Sequence, residues 1–322
     1  MFLKKVEKYR LFNPMEGKEE EVEVEIRFDP LTGKPSRIVK KPLPFTKGSF
    51  EEDLKKPCPF CEDVVEKVAA RDVEVLGKNL KRKGNSILFA NISPYARYSL
   101  VIRICKEHYL NLGEFKAEDF YNSFALAVEY LKEISEKIDY ATITMNYLKP
   151  AGSSVVHPHI QLIASEELMD YQNRIVNSAR SFYKTHGKQF WEVLSENKEF
   201  EDLILSRNKW LWFVPFAPRG FDHVAAYIDK PILEVDEEEL RELCEGIVKI
   251  LKFYSSEYNS FNFGIFGSLK KTPYFGTLFD IVARTPFDKY YWCDVFAITK
   301  IYDEAYTNKA PEETAKQLKG FF

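Results

Sequence analysis

An order of elements that occurs twice constrains this chain more than any other feature of its sequence. From Ser86, SILFANISP and ARYSLVIRICKEH have the β-branched and apolar content of strands. KAEDFYNSFALAVEYLKEISEKI then places apolar residues at helical spacing, and TITMNYL and VVHPHIQLIAS read as two further strands. After a mainly helical connector, residues 166–208, the order returns. KWLWFVPFAP and DHVAAYI read as strands, and DEEELRELCEGIVKILKFYSSEY as an amphipathic helix with an acidic start. FNFGIF and TLFDIVART close the second copy. NISPYARYSLVI and VPFAPRGFDHVAAYI correspond as Pro-containing turns between strands. Two β-β-α-β-β units predict a duplicated α+β fold, an antiparallel sheet with helices packed on it. The divisions expected are 1–85, 86–165, the connector 166–208, and 209–322.

Other bounds are broad. With 322 residues and 45% hydrophobic content the chain can bury a large core, and a net charge of −3 gives no electrostatic case for nucleic acid or a membrane surface. No apolar run approaches the roughly 18 residues of a membrane helix, and MFLKKVEKYRLF lacks the apolar centre of a signal peptide. The expectation is a soluble, cytoplasmic protein. Five scattered cysteines (Cys58, Cys61, Cys105, Cys244 and Cys293) argue against a disulfide framework.

Chemistry concentrates between Asn146 and Gln161, NYLKPAGSSVVHPHIQ. A strand through its second half puts His157, His159 and Gln161 on one face, with Val156, Pro158 and Ile160 opposite. Gly152 lets backbone approach a ligand closely, and Ser153 and Ser154 add hydroxyl and amide donors suited to phosphate oxygens. His-x-His on a strand serves equally as half a metal site, and a buried histidine can simply be a hydrogen-bonded core residue. We read the two histidines as dividing the jobs of metal ligand and nucleophile.

Cys58-Pro59-Phe60-Cys61 is open to three readings: a redox pair, half a zinc site, or two core cysteines. No βαβ unit surrounds it, against a thioredoxin-type pair. Four-coordinate zinc needs two more ligands from only five histidines, so Cys58, Cys61, His108 and His157 form the economical set, with Cys105 an alternative. Upstream, Glu21 to Lys40 reads as a hairpin around Asp29-Pro30-Leu31-Thr32-Gly33. Arg27 and Arg37 flank that turn, by default as solvated surface charges, although a hairpin arginine can also clamp phosphate. His186 and His223 read as structural or surface residues.

The segment Asn146, Gly152, Ser154, His157-Pro158-His159-x-Gln161 resembles the active-site segment of the galactose-1-phosphate uridylyltransferase family, within the histidine-triad superfamily. Arg27-x-Asp29-Pro30-Leu31-Thr32-Gly33 resembles its N-terminal hairpin. Cys58-Pro59-Phe60-Cys61 resembles its zinc pair, His108 and Leu112 its third ligand segment, and Pro311-Glu312-Glu313 its C-terminal helix. The resemblance implies a duplicated histidine-triad-like fold with His159 as nucleophile. Zn(2+) would be held by Cys58, Cys61, His108 and His157. It further implies phosphate contacts from Gln161, Ser154 and Asn146, with Arg27 near the phosphate pocket and Asn91 at the nucleoside. The implied activity moves UMP between a UDP-sugar and a hexose 1-phosphate, such as galactose 1-phosphate, by ping-pong chemistry in a homodimer. Adenylyl transfer by an ADP-sugar or dinucleotide phosphorylase, nucleotide hydrolysis, and a non-catalytic nucleotide-binding module are the alternatives. Several positions depart from the family pattern. Ile92 replaces an acidic residue, Thr299 and Lys300 a Tyr-Glu pair, and Ile160 a glycine. The family's second metal site, built from histidines of the second copy, is absent, with Phe266, Ile281 and Ala283 falling near those positions.

Overall fold

Two sheets organise the chain. The computed structural model describes residues 2–13, 18–39, 54–72, 74–77, 79–92, 94–285 and 294–322. Cys293, Ser93, Lys40 and most of the loop expected from Pro42 to Pro57 lie outside the described residues. The smaller sheet has the order β1-β2-β3-β14, from β1 (Lys4–Asn13), β2 (Lys18–Phe28), β3 (Pro35–Val39) and β14 (Ala305–Thr307). The larger sheet runs β4-β5-β6-β8-β7-β12-β13-β11-β10-β9. Its first half comprises β4 (Lys81–Lys83), β5 (Ser86–Ala90), β6 (Tyr98–Arg103), β7 (Tyr140–Tyr147) and β8 (His159–Ala164). Its second half comprises β9 (Ile204–Arg207), β10 (Leu211–Phe213), β11 (Phe221–Ile228), β12 (Ser260–Ser268) and β13 (Thr277–Arg284).

The order is a palindrome about the β7–β12 junction, the signature of a duplicated unit fused edge to edge. One cross-strand row makes the symmetry explicit: Val101, Gln161, Thr144, Gly264, Asp280 and Ala225 are successive partners across six antiparallel strands. Cross-strand partners share a face, so this row and its neighbours two residues away define one surface of the sheet.

Helices cover the other surface. α2 (Ala117–Ile134) and α5 (Glu237–Tyr254), both 18 residues, pack against each other under the two halves. They bury Leu100, Ile102, Ile143, Ile160, Leu162, Phe263, Ile265 and Phe279, residues that alternate with those of the first surface. Phe120 and Phe124 of α2 lie 6.1 Å from Phe263 of β12, so the first copy's helix rests on the second copy's strand. Each such ring contributes on the order of 2–3 kcal/mol on burial. Gly246 in α5 is a packing glycine. A Cβ there would fall 2.1 Å from Trp212 Cζ2 of β10.

Shorter helices finish the chain: α1 (Glu62–Val68), α3 (Asp170–His186), α4 (Phe190–Glu196), α6 (Ala297–Ile301) and α7 (Pro311–Leu318). None of the described helices is long and apolar enough to cross a membrane. Three details differ from the sequence reading. β1 adds an edge strand before the expected hairpin, and β9 forms within the expected helical connector. Both exist through pairing, β1 with β2 and β9 with β10, rather than through a local pattern. β8 also begins at His159 rather than at Val155, because His157 is drawn aside into a bend.

Candidate active site

His157, in the bend before β8, and His159, the first residue of β8, are set in opposite tautomers by two carbonyls. His159 Nδ1 is 2.8 Å from the His157 carbonyl, and His157 Nε2 is 2.9 Å from the Cys105 carbonyl. A carbonyl only accepts, so each of those nitrogens carries the proton. His159 keeps its lone pair on Nε2, and His157 keeps its own on Nδ1. Burial holds both imidazoles below the usual histidine range, His157 down to about 4. Both are therefore neutral at pH 7.

The His157 lone pair faces two thiols. Nδ1 lies 3.6 Å from Cys58 Sγ and 3.9 Å from Cys61 Sγ, while His108 Nδ1 lies 3.7 Å from Cys61 Sγ. All four ligand atoms fall within 4.8 Å of one another. With Zn–S near 2.3 Å and Zn–N near 2.0 Å, the S···N edge of a tetrahedron is about 3.6 Å, so the set fits one small ion. Two second-layer contacts agree with ligation: the Cys105 carbonyl orients His157, and the Phe60 amide lies 3.4 Å from Cys58 Sγ. Burial and the adjacent Cys58 push the Cys61 thiol up to about 11, and a bound cation would reverse that. Cys105 is not a ligand. It is fully buried, its thiol pushed up to about 12 mainly by burial, and its Sγ turns to the Glu107 carbonyl.

The cluster joins three segments, the loop before α1, the loop after β6 and the bend before β8, next to His159. The Phe60 ring stands edge-on to the His159 ring at 5.2 Å. Arg103, fully buried and paired across the sheet with His159, donates to the Phe60 carbonyl at 3.2 Å and to the Asn85 carbonyl at 3.1 Å. Its Nη2 also meets Glu62 Oε2 at 2.6 Å. Phe60 and Arg103 are site residues that motif reading missed. Their only sequence signals were the Phe inside Cys-x-x-Cys and a charge within an apolar strand.

Gln161 and Asn146 are half-buried on the His159 surface of the sheet. After β7 the chain turns sharply: Leu148 has φ 65° and Gly152 φ 84°. The left-handed Gly152 has open space where a Cβ would stand, so its requirement is backbone conformation alone. Here the structure corrects an expectation. The Gly152 amide donates to the Lys149 carbonyl at 2.9 Å and the Ser153 amide to the Leu148 carbonyl at 3.1 Å. Ser153 is buried, with its hydroxyl donating to the Val155 carbonyl at 2.6 Å. These donors close the turn instead of facing a ligand. Ser154 is exposed and lines a 140 Å³ cleft with Cys58, His108, Lys149 and Val156.

Arg27 is a second correction, against both a solvated charge and a phosphate clamp. It is 3% exposed, with Nε on Glu25 at 2.6 Å and its two Nη groups on Glu312 at 2.7 and 3.0 Å. The bidentate pair ties the N-terminal hairpin to α7. Arg37, the other arginine beside the turn, bonds Glu304 at 2.8 Å. Asn91 follows β5, its amide donating to the Ser99 carbonyl at 2.9 Å. Ser99 pairs with Ile163, two residues beyond Gln161 on β8. A 210 Å³ cleft there is lined by Tyr95, Ala96, Thr142, Ile163 and Gln172. His223 is neither isolated nor on the surface. It accepts from the Arg219 amide at 3.1 Å through Nδ1 and bonds Asp280 through Nε2 at 2.9 Å.

No family model matches the chain. An uncharacterised protein of Archaeoglobus fulgidus is 43% identical over 309 residues, covering 94% of each chain. Among solved structures, an ADP-glucose phosphorylase from Arabidopsis thaliana with bound ADP-glucose superposes with a TM-score of 0.71. The match covers 92% of this chain and 98% of that one at 16% identity. A uridylyltransferase superposes with a TM-score of 0.66, covering 92% of this chain and 97% of that one at 19% identity.

Proposed function

This chain belongs to one family with the Archaeoglobus fulgidus protein and has the duplicated fold of uridylyltransferase-like proteins, and from that premise we propose a nucleotidyltransferase acting through His159. The observation that carries the reading is the tautomer: a neutral imidazole, its Nδ1–H held by the His157 carbonyl, leaves an Nε2 lone pair on the polar face of the sheet. Nε2 attacks the α-phosphorus of a nucleoside diphosphate sugar, a P–N bond forms, and the bond to the β-phosphate oxygen breaks. Sugar 1-phosphate leaves. An oxygen of a second sugar 1-phosphate, or of orthophosphate, then attacks phosphorus and frees the imidazole.

Gln161, Asn146 and Ser154 are the donors we assign to the transferring phosphoryl group, because the Gly152 and Ser153 donors are occupied within the turn and Arg27 is held by Glu25 and Glu312. The nucleoside would lie over the Ser99–Ile163 pair, in the cleft beside Asn91. Zinc on Cys58, Cys61, His108 and His157, with four protein ligands, would be structural and would fix the Phe60 wall against His159. The resemblance also implies a homodimer, which light scattering checks.

The test uses UDP-glucose, UDP-galactose and ADP-glucose with galactose 1-phosphate, glucose 1-phosphate and orthophosphate as acceptors. Intact-mass spectrometry should show a nucleotidyl adduct on wild-type protein, discharged by the right acceptor, and none on His159→Gly. The donor that loads fastest identifies the base, and the acceptor that discharges it separates a transferase from a phosphorylase. An adduct that persists in His159→Gly would sink the proposal.

A further inference from the structure

The second half of the sheet reaches the site through one amide. Asn262 on β12 stands directly opposite Asn146 on β7. Its Nδ2 lies 2.6 Å from Asn146 Oδ1 and 2.9 Å from the Ala151 carbonyl, and its Oδ1 accepts from Arg284 Nη1. Arg284 is clamped in turn by Asp294, with Nε on Oδ2 at 2.6 Å and Nη2 on Oδ1. A guanidinium only donates and a backbone carbonyl only accepts. Asn262 therefore has one possible orientation, oxygen toward Arg284 and amino group toward Ala151. Asn146 must meet that amino group with its own oxygen. The Asn146 amino group is then left as a donor on the half-open surface it shares with Gln161 and His159, and it has no partner among the described residues.

We infer that Asn262 is a positioning residue, supplied by the copy without the nucleophile, that sets the polarity of Asn146 toward the transferring phosphoryl group and pins the turn at Ala151. The inference rests on the nucleotidyl-transfer reading for its ligand, but its geometry does not. Asp294, Arg284, Asn262 and Asn146 form a relay in which every donor and acceptor role is forced by the one before it. A neutral amide at the third place is required. A carboxylate there would keep Arg284 yet oppose the Ala151 carbonyl, and would draw the Asn146 amino group away from the ligand.

The decisive variant is Asn262→Asp, which preserves shape and the Arg284 contact. Adduct formation with the fastest-loading nucleotide sugar should fall about 10- to 100-fold, in the range typical for outer-layer orienting residues, while thermal melting stays within a few degrees. In an Asn146→Ala background the same change should cost less than about threefold, because the residue it acts through is gone. A variant that loads within about threefold of wild type overturns the inference, as does an equal loss in both backgrounds. Should wild type load from no nucleotide sugar, the functional reading has failed and orthophosphate binding, followed by phosphorus NMR, decides the relay. Weakening by Asn262→Asp only when Asn146 is present sustains it, and unchanged binding refutes it.

Discussion

The two halves of the large sheet share strand order and helix length, yet one carries the histidine pair beside the Cys-His cluster and the other is overlaid by the hairpin turn and two helices. In the row through Gln161, Thr144, Gly264 and Asp280, the outer members are symmetric about the junction. Two residues earlier on β8 stands His159, and two residues earlier on β13 stands Leu278. Over the second copy lie the hairpin turn at Asp29–Thr32, Tyr171 of α3 and Trp191 of α4, enclosing a cavity of about 60 Å³. Within it His223 bonds Asp280, and the Arg219 guanidinium lies 3.6 Å over the Tyr171 ring. Over the first copy, α1 and Phe60 shield Ile87, Phe89, Val101 and the His159 ring, leaving Gln161 and Asn146 half-open. Duplication thus supplied two equal surfaces that differ in what is laid on them. The covered copy keeps a part in the site through Asn262.

That contrast is most sharply broken at the paired positions. His159→Gly should lower nucleotidylation by at least about 10³-fold, with the fold intact, since the covalent route is gone. Adding Leu278→His should not restore it, because the cavity it lines is only about 60 Å³, and should cost about 2–5 kcal/mol as a buried Leu is replaced. Adduct formation at residue 278 would show the second face to be open and end the comparison. Next in size is the metal, which the second copy lacks among the described residues. Cys58→Ser should release one equivalent of zinc, measured by elemental analysis, and lower stability by several kcal/mol. Retained zinc would exclude Cys58 as a ligand. Gly246→Val tests the second copy alone. Its side chain must displace the Trp212 ring, costing about 1–3 kcal/mol in denaturant unfolding with little change in loading rate.

The sequence carried the duplication clearly, since both long helices have apolar spacing and acidic starts and both are flanked by strand pairs. That His157 lies beside Cys58, Cys61 and His108 was legible from ligand types and the small number of histidines, although His157 sits in a bend before β8 rather than on the strand face expected. The remainder depended on partners far along the chain. Arg27 meets Glu312, 285 residues away, and Asn262 meets Asn146, 116 residues away. No local pattern encodes such pairs. Ser153 and Gly152 misled for the opposite reason. Their types suit a phosphate loop, but a tight turn consumes the same donors, and only coordinates show which use prevails. The opposite tautomers of the two histidines come from carbonyls that sequence does not display.

The smallest effect expected is in pH, and it bears on why the two faces differ. Burial lowers the His159 pKa from the ordinary value near 6.5, partly offset by the hydrogen bond to the His157 carbonyl. A free imidazole with pKa 6.5 would be about ten-elevenths protonated at pH 5.5, so its nucleophilic form, and any rate proportional to it, would fall roughly tenfold from the plateau. With the pKa depressed, single-turnover loading should begin to fall at a lower pH than 6.5 and lose less than that tenfold at pH 5.5. The linked stability runs the same way. The folded state binds fewer protons than the unfolded chain, so the group's contribution is complete above about pH 6.5 and is lost as pH falls toward the folded pKa. Replacing the Phe60 wall with alanine should expose the ring, return the inflection toward 6.5 and make the first copy's face wetter still. A loading profile that already bends at pH 6.5 in the wild-type protein would mean that His159 is solvated like an ordinary surface histidine, and that burial behind Phe60 is not what tunes the nucleophile.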